Sequence, residues 1–139
     1  MDFAFTKEQK MYGDAAREFL AKECPIESVR NILKEEKGYS HDLWKKIADL
    51  SWLGMLIDDK YGGLGGSFMD LCPILEEIGR GVFPSPFFPT VIMGAGILSE
   101  EADEETKVRL LPRIVNGDVI LTLGVGEAGE EWTLSLIHI

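Results

Sequence analysis

The chain has 139 residues, of which 45% are hydrophobic and 27% are charged, a composition typical of one small globular domain with a buried core. Its 14 Lys and Arg residues against 24 Asp and Glu residues give a formal net charge of −10. An acidic surface of this kind argues against binding to nucleic acid or to anionic membranes.

The remaining composition excludes several other classes of protein. Two cysteines, Cys24 and Cys72, and two histidines, His41 and His138, predict neither a disulfide framework nor a metal site. The N-terminus has no signal-peptide pattern, and no apolar run reaches the roughly 18 residues of a spanning helix. We therefore expect no metal and no membrane insertion, with a cytoplasmic location by default.

Apolar side chains at helical spacing predict six helices in the first 117 residues. The first helix spans about 7–22 and begins with a capping box formed by Thr6 and Gln9. The second stops near Gly38, and Ser40 caps the third. Tryptophans at this spacing are expected in the core. An all-α fold is therefore predicted for this part of the chain.

A glycine-rich loop separates the apolar run Trp52–Ile57 from the fourth helix. A strand, a glycine loop and a helix would form a dinucleotide-binding turn, but Phe68 stands where that fingerprint needs its third glycine or an alanine. We therefore predict a packing turn in which at least one residue of Gly62–Gly66 has positive φ. The loop is expected to contact protein rather than phosphate.

Pro73 constrains the start of the fourth helix. If Ser67 were the cap, Pro73 would lie inside the helix at a typical cost of about 3 kcal/mol. If Asp70 were the cap, Pro73 would lie in the first turn, where its missing N–H costs little. The sequence therefore predicts a start near Asp70, in preference to a kink.

The last predicted elements come after a proline-rich connector. A fifth helix runs from Pro86 to about Leu98, and its expected inner face consists of Phe88, Val91, Ile92, Ala95 and Leu98. Gly94 and Gly96 are costly inside a helix, so a neighbour is expected to lie close to them. The sixth helix stops at Asn116-Gly117, and Val119–Val125 is predicted to be a strand.

The stretch from Trp52 to Gly81 resembles the signature of the helical N-terminal domain of the acyl-CoA dehydrogenases. It contains a Trp-Leu-Gly run, the loop Tyr-Gly-Gly-Leu-Gly-Gly-Ser and the helical segment Glu-Glu-Ile-Gly-Arg, in the order that family members show. The segments Pro84 to Phe87 and Leu110 to Gly117 lie where the family places their counterparts. The resemblance covers about Phe3 to Glu127.

The resemblance implies a domain organisation. Residues 1–117 would be a six-helix orthogonal or up-down bundle, residues 118–133 the start of a truncated middle β-domain, and residues 134–139 a non-native tail. Family members bind FAD between the β-domain and a C-terminal helical domain. That C-terminal domain usually supplies the catalytic base, so the resemblance names no catalytic residue in this chain.

The resemblance also implies candidate binding residues. The start of the fifth helix resembles the one that lines the acyl-chain cavity, which makes Phe87, Phe88, Thr90, Val91 and Gly94 candidate substrate-binding residues. Phe88 and Val91 could instead be plain core residues. If the helix lines the cavity, Phe87, Thr90 and Val91 should expose apolar surface.

A second set of candidates would contact the cofactor. Leu123, Val125 and Gly126 resemble part of the family's first flavin-contacting strand. Gly126 replaces the usual threonine there and Ala128 the usual proline, so contact with the cofactor would come from the backbone alone.

The implied activity is that of a flavoprotein in fatty acid metabolism. An acyl-CoA would lose an α-proton to the base and a β-hydride to FAD, leaving a 2-enoyl thioester. The expected partners are the acyl-CoA, the missing domains, other subunits of a homo- or hetero-tetramer and an electron-transfer partner. A flavin monooxygenase or acyl-CoA oxidase of the same fold and a free-standing helical interaction module are the alternatives. The chain by itself is expected neither to catalyse dehydrogenation nor to hold FAD tightly.

Overall fold

The computed structural model describes residues 4–124, and these residues form the expected all-α bundle. Two 3-10 helices lie between α3 and α4, and a π-helical segment directly precedes α5. The bounds are α1 Lys7–Glu23, α2 Ile26–Ile32, α3 His41–Asp49, the 3-10 helices Trp52–Gly54 and Asp59–Tyr61, α4 Phe68–Arg80, the π-segment Phe88–Gly94, α5 Ala95–Glu101 and α6 Glu104–Val115. Residues 118–124 form neither helix nor paired strand. The strand at Val119–Val125 runs past the described residues and stays a prediction.

Helices α1 and α4 form the central seam of the bundle. They run in the same direction and face each other in register along their whole length. The facing pairs are Gln9–Asp70, Gly13–Pro73, Arg17–Glu77 and Leu20–Gly81. Each step along the seam is three or four residues on both helices, which is the spacing of one face of a helix.

The N-termini of α1 and α4 are tied together by their caps. The predicted capping box is confirmed, since Thr6 N–H donates to Gln9 Oε1 at 2.9 Å and Gln9 N–H donates to Thr6 Oγ1 at 3.2 Å. Gln9 Nε2 also donates to Asp70 Oδ1 at 2.9 Å. Asp70 Oδ2 accepts from the hydroxyl and the N–H of Ser67. These bonds lower the pKa of Asp70, and the bond from the Ser67 hydroxyl contributes most.

The predicted start of α4 near Asp70 is wrong. The helix begins at Phe68 with Ser67 as its cap, and Pro73 lies inside it. The local cost of the proline is offset by tertiary packing, because Pro73 is buried against α1 and its Cβ lies 3.1 Å from where a Cβ on Gly13 would be. Asp70 bonds back to the cap residue and stabilises the earlier start.

The glycine loop is a packing turn, as predicted. Gly62 and Gly65 have φ of 87° and 61°. The loop folds back on the run Trp52–Ile57, and its backbone donors bind carbonyl groups of that run. The bonds are Leu64 N–H to Gly54 O, Gly65 N–H to Ile57 O and Gly66 N–H to Met55 O, at 2.9, 2.8 and 2.8 Å. With these donors engaged, the loop has no nest for a phosphate.

The core consists of two adjoining clusters of buried side chains. The larger cluster lies around the seam and includes Trp44, Leu53, Leu71, Ile74 and Phe87, and the smaller one consists of Ile57, Tyr61, Ala95, Leu111 and Ile114. Trp44 Nε1 donates to the carbonyl of Gly117 at 3.1 Å, which fixes the end of α6 against α3. The prediction that the tryptophans are core residues is confirmed for Trp44 and Trp52.

Five large apolar residues that follow the helical spacing of the sequence are exposed. They are Met11, Ile26, Leu33, Leu50 and Phe68. Except for Met11, these residues stand at the first position or the cap of their helices. These four helix ends stay exposed to solvent, so periodicity alone overestimates burial there.

The close approach at Gly63 generates a test of this packing. A Cβ on Gly63 would lie 2.0 Å from the Ile57 carbonyl oxygen and 2.7 Å from that of Gly54. We expect Gly63→Ala to lower the free energy of unfolding by about 3 kcal/mol or more, because two backbone segments must separate. Urea unfolding followed by circular dichroism measures this change.

Gly79→Ala is the matched control. A Cβ on Gly79 meets nothing within 4 Å, and the residue lies inside α4. We expect the free energy of unfolding of this variant to rise by up to about 1 kcal/mol, because alanine has a higher helix propensity than glycine. Equal stability of the Gly63→Ala variant and the parent chain would contradict the packing described for the loop.

Candidate functional site

An apolar groove lies where the chain leaves the helical bundle, and we call it the exit groove. Its volume is about 210 Å³, and it is lined by Gly94, Ile97, Leu98, Leu110, Leu121, Thr122 and Leu123. Ile97 and Leu123 expose 43% and 39% of their surface. The groove therefore presents half-exposed apolar side chains from both the fifth helix and the departing chain.

The predicted exposure of the fifth helix is wrong at three positions. Phe87, Thr90 and Val91 are buried, at 1%, 0% and 0% exposure. The cause is the π-helical winding of Phe88–Gly94, which has more residues per turn than an α-helix. Phe87, Val91 and Ala95 consequently face the core, whereas Phe88 is 54% exposed instead of lying on the inner face.

The five candidate substrate-binding residues therefore fall into two groups, one at the surface and one in the core. Gly94 lines the exit groove, and Phe88 is exposed on the surface. Phe87, Thr90 and Val91 are core residues, so they lack the exposed surface that the substrate-wall hypothesis requires of them. Substrate contact at Phe88 and Gly94 stays a prediction.

Thr90 has a role that sequence reasoning missed. Its hydroxyl donates to the carbonyl of Leu121 and accepts from the N–H of the same residue, both at 3.1 Å. The expectation of a neighbour close to Gly94 is confirmed, because a Cβ there would lie 2.6 Å from Leu121 Cβ. Gly96 has nothing within 4 Å, so the same expectation is wrong at that position. The sequence signal was the costly glycine, but nothing in it named Leu121 as the neighbour.

The candidate cofactor residues lie at the end of the described chain. Leu123 stands at the rim of the exit groove, while Val125 and Gly126 lie outside the described residues. The backbone groups of Thr122 and Leu123 make no hydrogen bond to any residue within 4–124. Backbone groups that have no partner within 4–124, beside an apolar groove, fit one edge of a flavin ring. The engaged donors of the glycine loop do not fit its pyrophosphate.

Glu77 is a buried carboxylate on α4. Its side chain bonds Arg17 at 2.7 Å and pairs with Arg80 at 3.3 Å. The hydrogen bond from Arg17 outweighs burial and lowers the pKa of Glu77. A carboxylate held ionised by two arginines is a poor proton acceptor, so Glu77 is a structural ion pair rather than a general base.

Two further findings concern residues 4–124. No group of three His, Cys, Asp or Glu side chains there could hold a metal ion. None of the helices in this range combines the length and the apolar character that crossing a membrane requires.

The described residues form a helical domain with a glycine turn. The last described segment of the chain leaves this domain along the apolar exit groove. Residues 6–118 match the family model described as "Acyl-CoA dehydrogenase, N-terminal domain". The chain belongs to the acyl-CoA dehydrogenase family, and the described bundle is its N-terminal helical domain.

Curated relatives and solved structures agree with this assignment. The chain is 28% identical to acyl-CoA dehydrogenase FadE27 of Mycobacterium tuberculosis, over 94% of this chain and 35% of that protein. It is 26% identical to acyl-CoA dehydrogenase IpdE2 of Mycolicibacterium smegmatis, over 91% of this chain and 45% of that protein. The crystal structure of the ChsE4–ChsE5 complex from Mycobacterium tuberculosis superposes with a TM-score of 0.84 at 27% identity, over 94% of this chain and 36% of that one. The chain thus spans between a third and a half of the length of these proteins.

The buried ion pair gives a test that depends on pH. We expect Glu77→Gln to lower the free energy of unfolding by about 1–3 kcal/mol at neutral pH, because it removes the charged partner of both arginines. The folded-state pKa of Glu77 is lowered, so its contribution is present above the unfolded pKa of about 4.3. That contribution is lost as pH falls through the folded pKa. The difference in free energy of unfolding between Glu77→Gln and the parent chain should therefore narrow there.

Glu76→Gln is the control, since Glu76 is exposed and neighbours Glu77 on α4. Its urea-unfolding curves should follow those of the parent chain at every pH. A destabilisation of Glu77→Gln that stays constant down to the lowest pH would contradict an ionised Glu77.

Proposed function

We propose that this chain is the N-terminal part of a flavin-dependent acyl-CoA dehydrogenase that converts an acyl-CoA thioester to the 2-enoyl-CoA. The observation that carries the proposal is the match of residues 6–118 to the family's N-terminal domain. The names of the relatives FadE27 and IpdE2 support the same activity. FAD, when bound, accepts the hydride from the β-carbon.

The described residues would act by shape rather than by chemistry. The exit groove offers an apolar wall, and the backbone of Leu123 offers hydrogen-bonding groups to one edge of the flavin. Phe88 and Gly94 are the remaining candidates for contact with the acyl chain. The carboxylate that removes the α-proton is proposed to come from the part of the relatives' length that this chain does not span.

The proposed domain boundaries rest on the same assignment. We propose that residues 1–117 are the helical domain and that residues 118–133 begin the middle β-domain of the longer protein. Because the similar ChsE4–ChsE5 structure is a complex of two chains, we propose that the longer protein assembles with copies of itself or with a related chain. Its reduced flavin would then pass electrons to a separate acceptor protein.

The test starts from the source DNA. We would sequence past the codon for Glu131, express the product of the continuing open reading frame and record its visible flavin spectrum. Bleaching of that spectrum by an acyl-CoA, with electrons passed to a dye, is the expected result. Peroxide release in air instead of dye reduction would indicate an oxidase. A reading frame that stops, with a stable helical product, would favour an interaction module.

The chain by itself should lack this activity. We expect the 139-residue protein, mixed with FAD and an acyl-CoA, to lose the flavin on gel filtration and to reduce no dye above the buffer control. The reason is that the backbone groups beside the exit groove contact only one edge of a flavin. They can neither enclose the flavin nor act as the catalytic base. Micromolar flavin retention, or any turnover, would show that the active site lies within this chain.

A further inference from the structure

We propose that Thr90 and Gly94 are positioning residues that seat Leu121, and that this seat fixes the register in which the chain leaves the helical bundle toward the flavin. The seat itself is a property of the described residues. Its consequence for the flavin rests on the proposed function.

The first half of the seat is the buried hydroxyl of Thr90. Thr90 is fully buried, yet its single hydroxyl satisfies both backbone groups of Leu121, each at 3.1 Å. These two bonds replace the pair that a neighbouring strand would make with that residue. Because the hydroxyl has one proton to donate, it can hold one residue of the departing segment in this way at a time.

The second half of the seat is the missing side chain of Gly94. A Cβ at this position would lie 2.6 Å from Leu121 Cβ and 3.0 Å from its Cδ1. Thr90 and Gly94 both belong to the π-segment Phe88–Gly94, so one short element locates both the backbone and the side chain of Leu121. π-Helical turns occur frequently at functional sites, which agrees with this use.

The seat matters because, among the described residues, its two hydrogen bonds are the only ones made by the backbone of residues 119–124. Val119 and Leu121 pack against the smaller core cluster, whereas the backbone groups of Thr122 and Leu123 have no partner within 4–124. A slip of one residue would move Leu123 along the chain by up to about 3.3–3.6 Å, the length that one extended residue spans. That displacement exceeds a hydrogen-bond length, so contact between the backbone of Leu123 and the flavin would be lost.

Amide hydrogen exchange in the 139-residue chain tests the seat without any flavin. Thr90→Val keeps the shape but removes both bonds, and we expect the Leu121 amide to exchange about tenfold faster or more. Thr90→Ser keeps the hydroxyl and should restore most of the protection. The amide of Leu111, in the core of α6, reports global unfolding and should change much less than that of Leu121.

Gly94→Ala and Gly96→Ala form a matched pair for the other half of the seat. Gly94→Ala should displace Leu121 and speed its amide exchange. The added Cβ of Gly96→Ala has no neighbour within 4 Å, so the exchange of the Leu121 amide should stay unchanged in that variant. The pair does not depend on whether Thr90→Val folds. Unchanged Leu121 exchange in both Thr90→Val and Gly94→Ala would overturn the seat.

The flavin half is tested in the longer flavoprotein from the continuing reading frame. We expect Thr90→Val to raise the dissociation constant of FAD about tenfold, which corresponds to one lost hydrogen bond, and to shift the flavin reduction potential, with both values restored in Thr90→Ser. Unchanged flavin values, together with faster Leu121 exchange, would overturn the positioning role and leave a purely structural seat. A wild-type product that binds no FAD would overturn the proposed function and, with it, the flavin-positioning role. The exchange measurements would still test whether Thr90 and Gly94 hold Leu121.

Discussion

The parallel seam between α1 and α4 is the constraint on which the rest of the fold depends. Parallel neighbours cannot be joined by a short loop, so the chain between them must travel back the length of a helix. Helices α2 and α3 and the two 3-10 turns make this return, and they bury Trp44 and Trp52 on the way. The seam is held by two polar contacts, Gln9 with Asp70 and Arg17 with Glu77, and by the close packing of Gly13 on Pro73 between them.

Several acidic residues stabilise local structure. Asp58 and Asp103 cap helices through backbone N–H groups, and these bonds lower their pKa values. Asp118 pairs with Lys45, which also bonds the carbonyl of Asn116 at the end of α6. Asp58, Asp103 and Asp118 therefore serve as helix caps and as a partner in an ion pair.

The π-segment links the core to the site. Regular α-helical winding would have placed Phe88 inside, but the wider turn buries Phe87 and Val91 and directs the hydroxyl of Thr90 at the departing chain. Because the same residues fill the core and hold Leu121, the position of the exit groove is coupled to the packing of the bundle. The contacts of Thr90 and Gly94 thereby hold the departing segment at Leu121.

Local chemistry by itself determined the helices, the capping box at Thr6 and Gln9 and the glycine turn, because each depends on residues close together in the chain. The resemblance of motifs spread along the chain indicated the family. Only the tertiary structure decided the rest. Helix α4 begins at Phe68 because Pro73 packs on Gly13, a contact between residues far apart in the chain. Thr90 is a buried anchor because Leu121 arrives beside it, and neither helical spacing nor a glycine count states which residue arrives. Partners distant in sequence decide which of several locally possible starts, faces and registers has the lowest free energy.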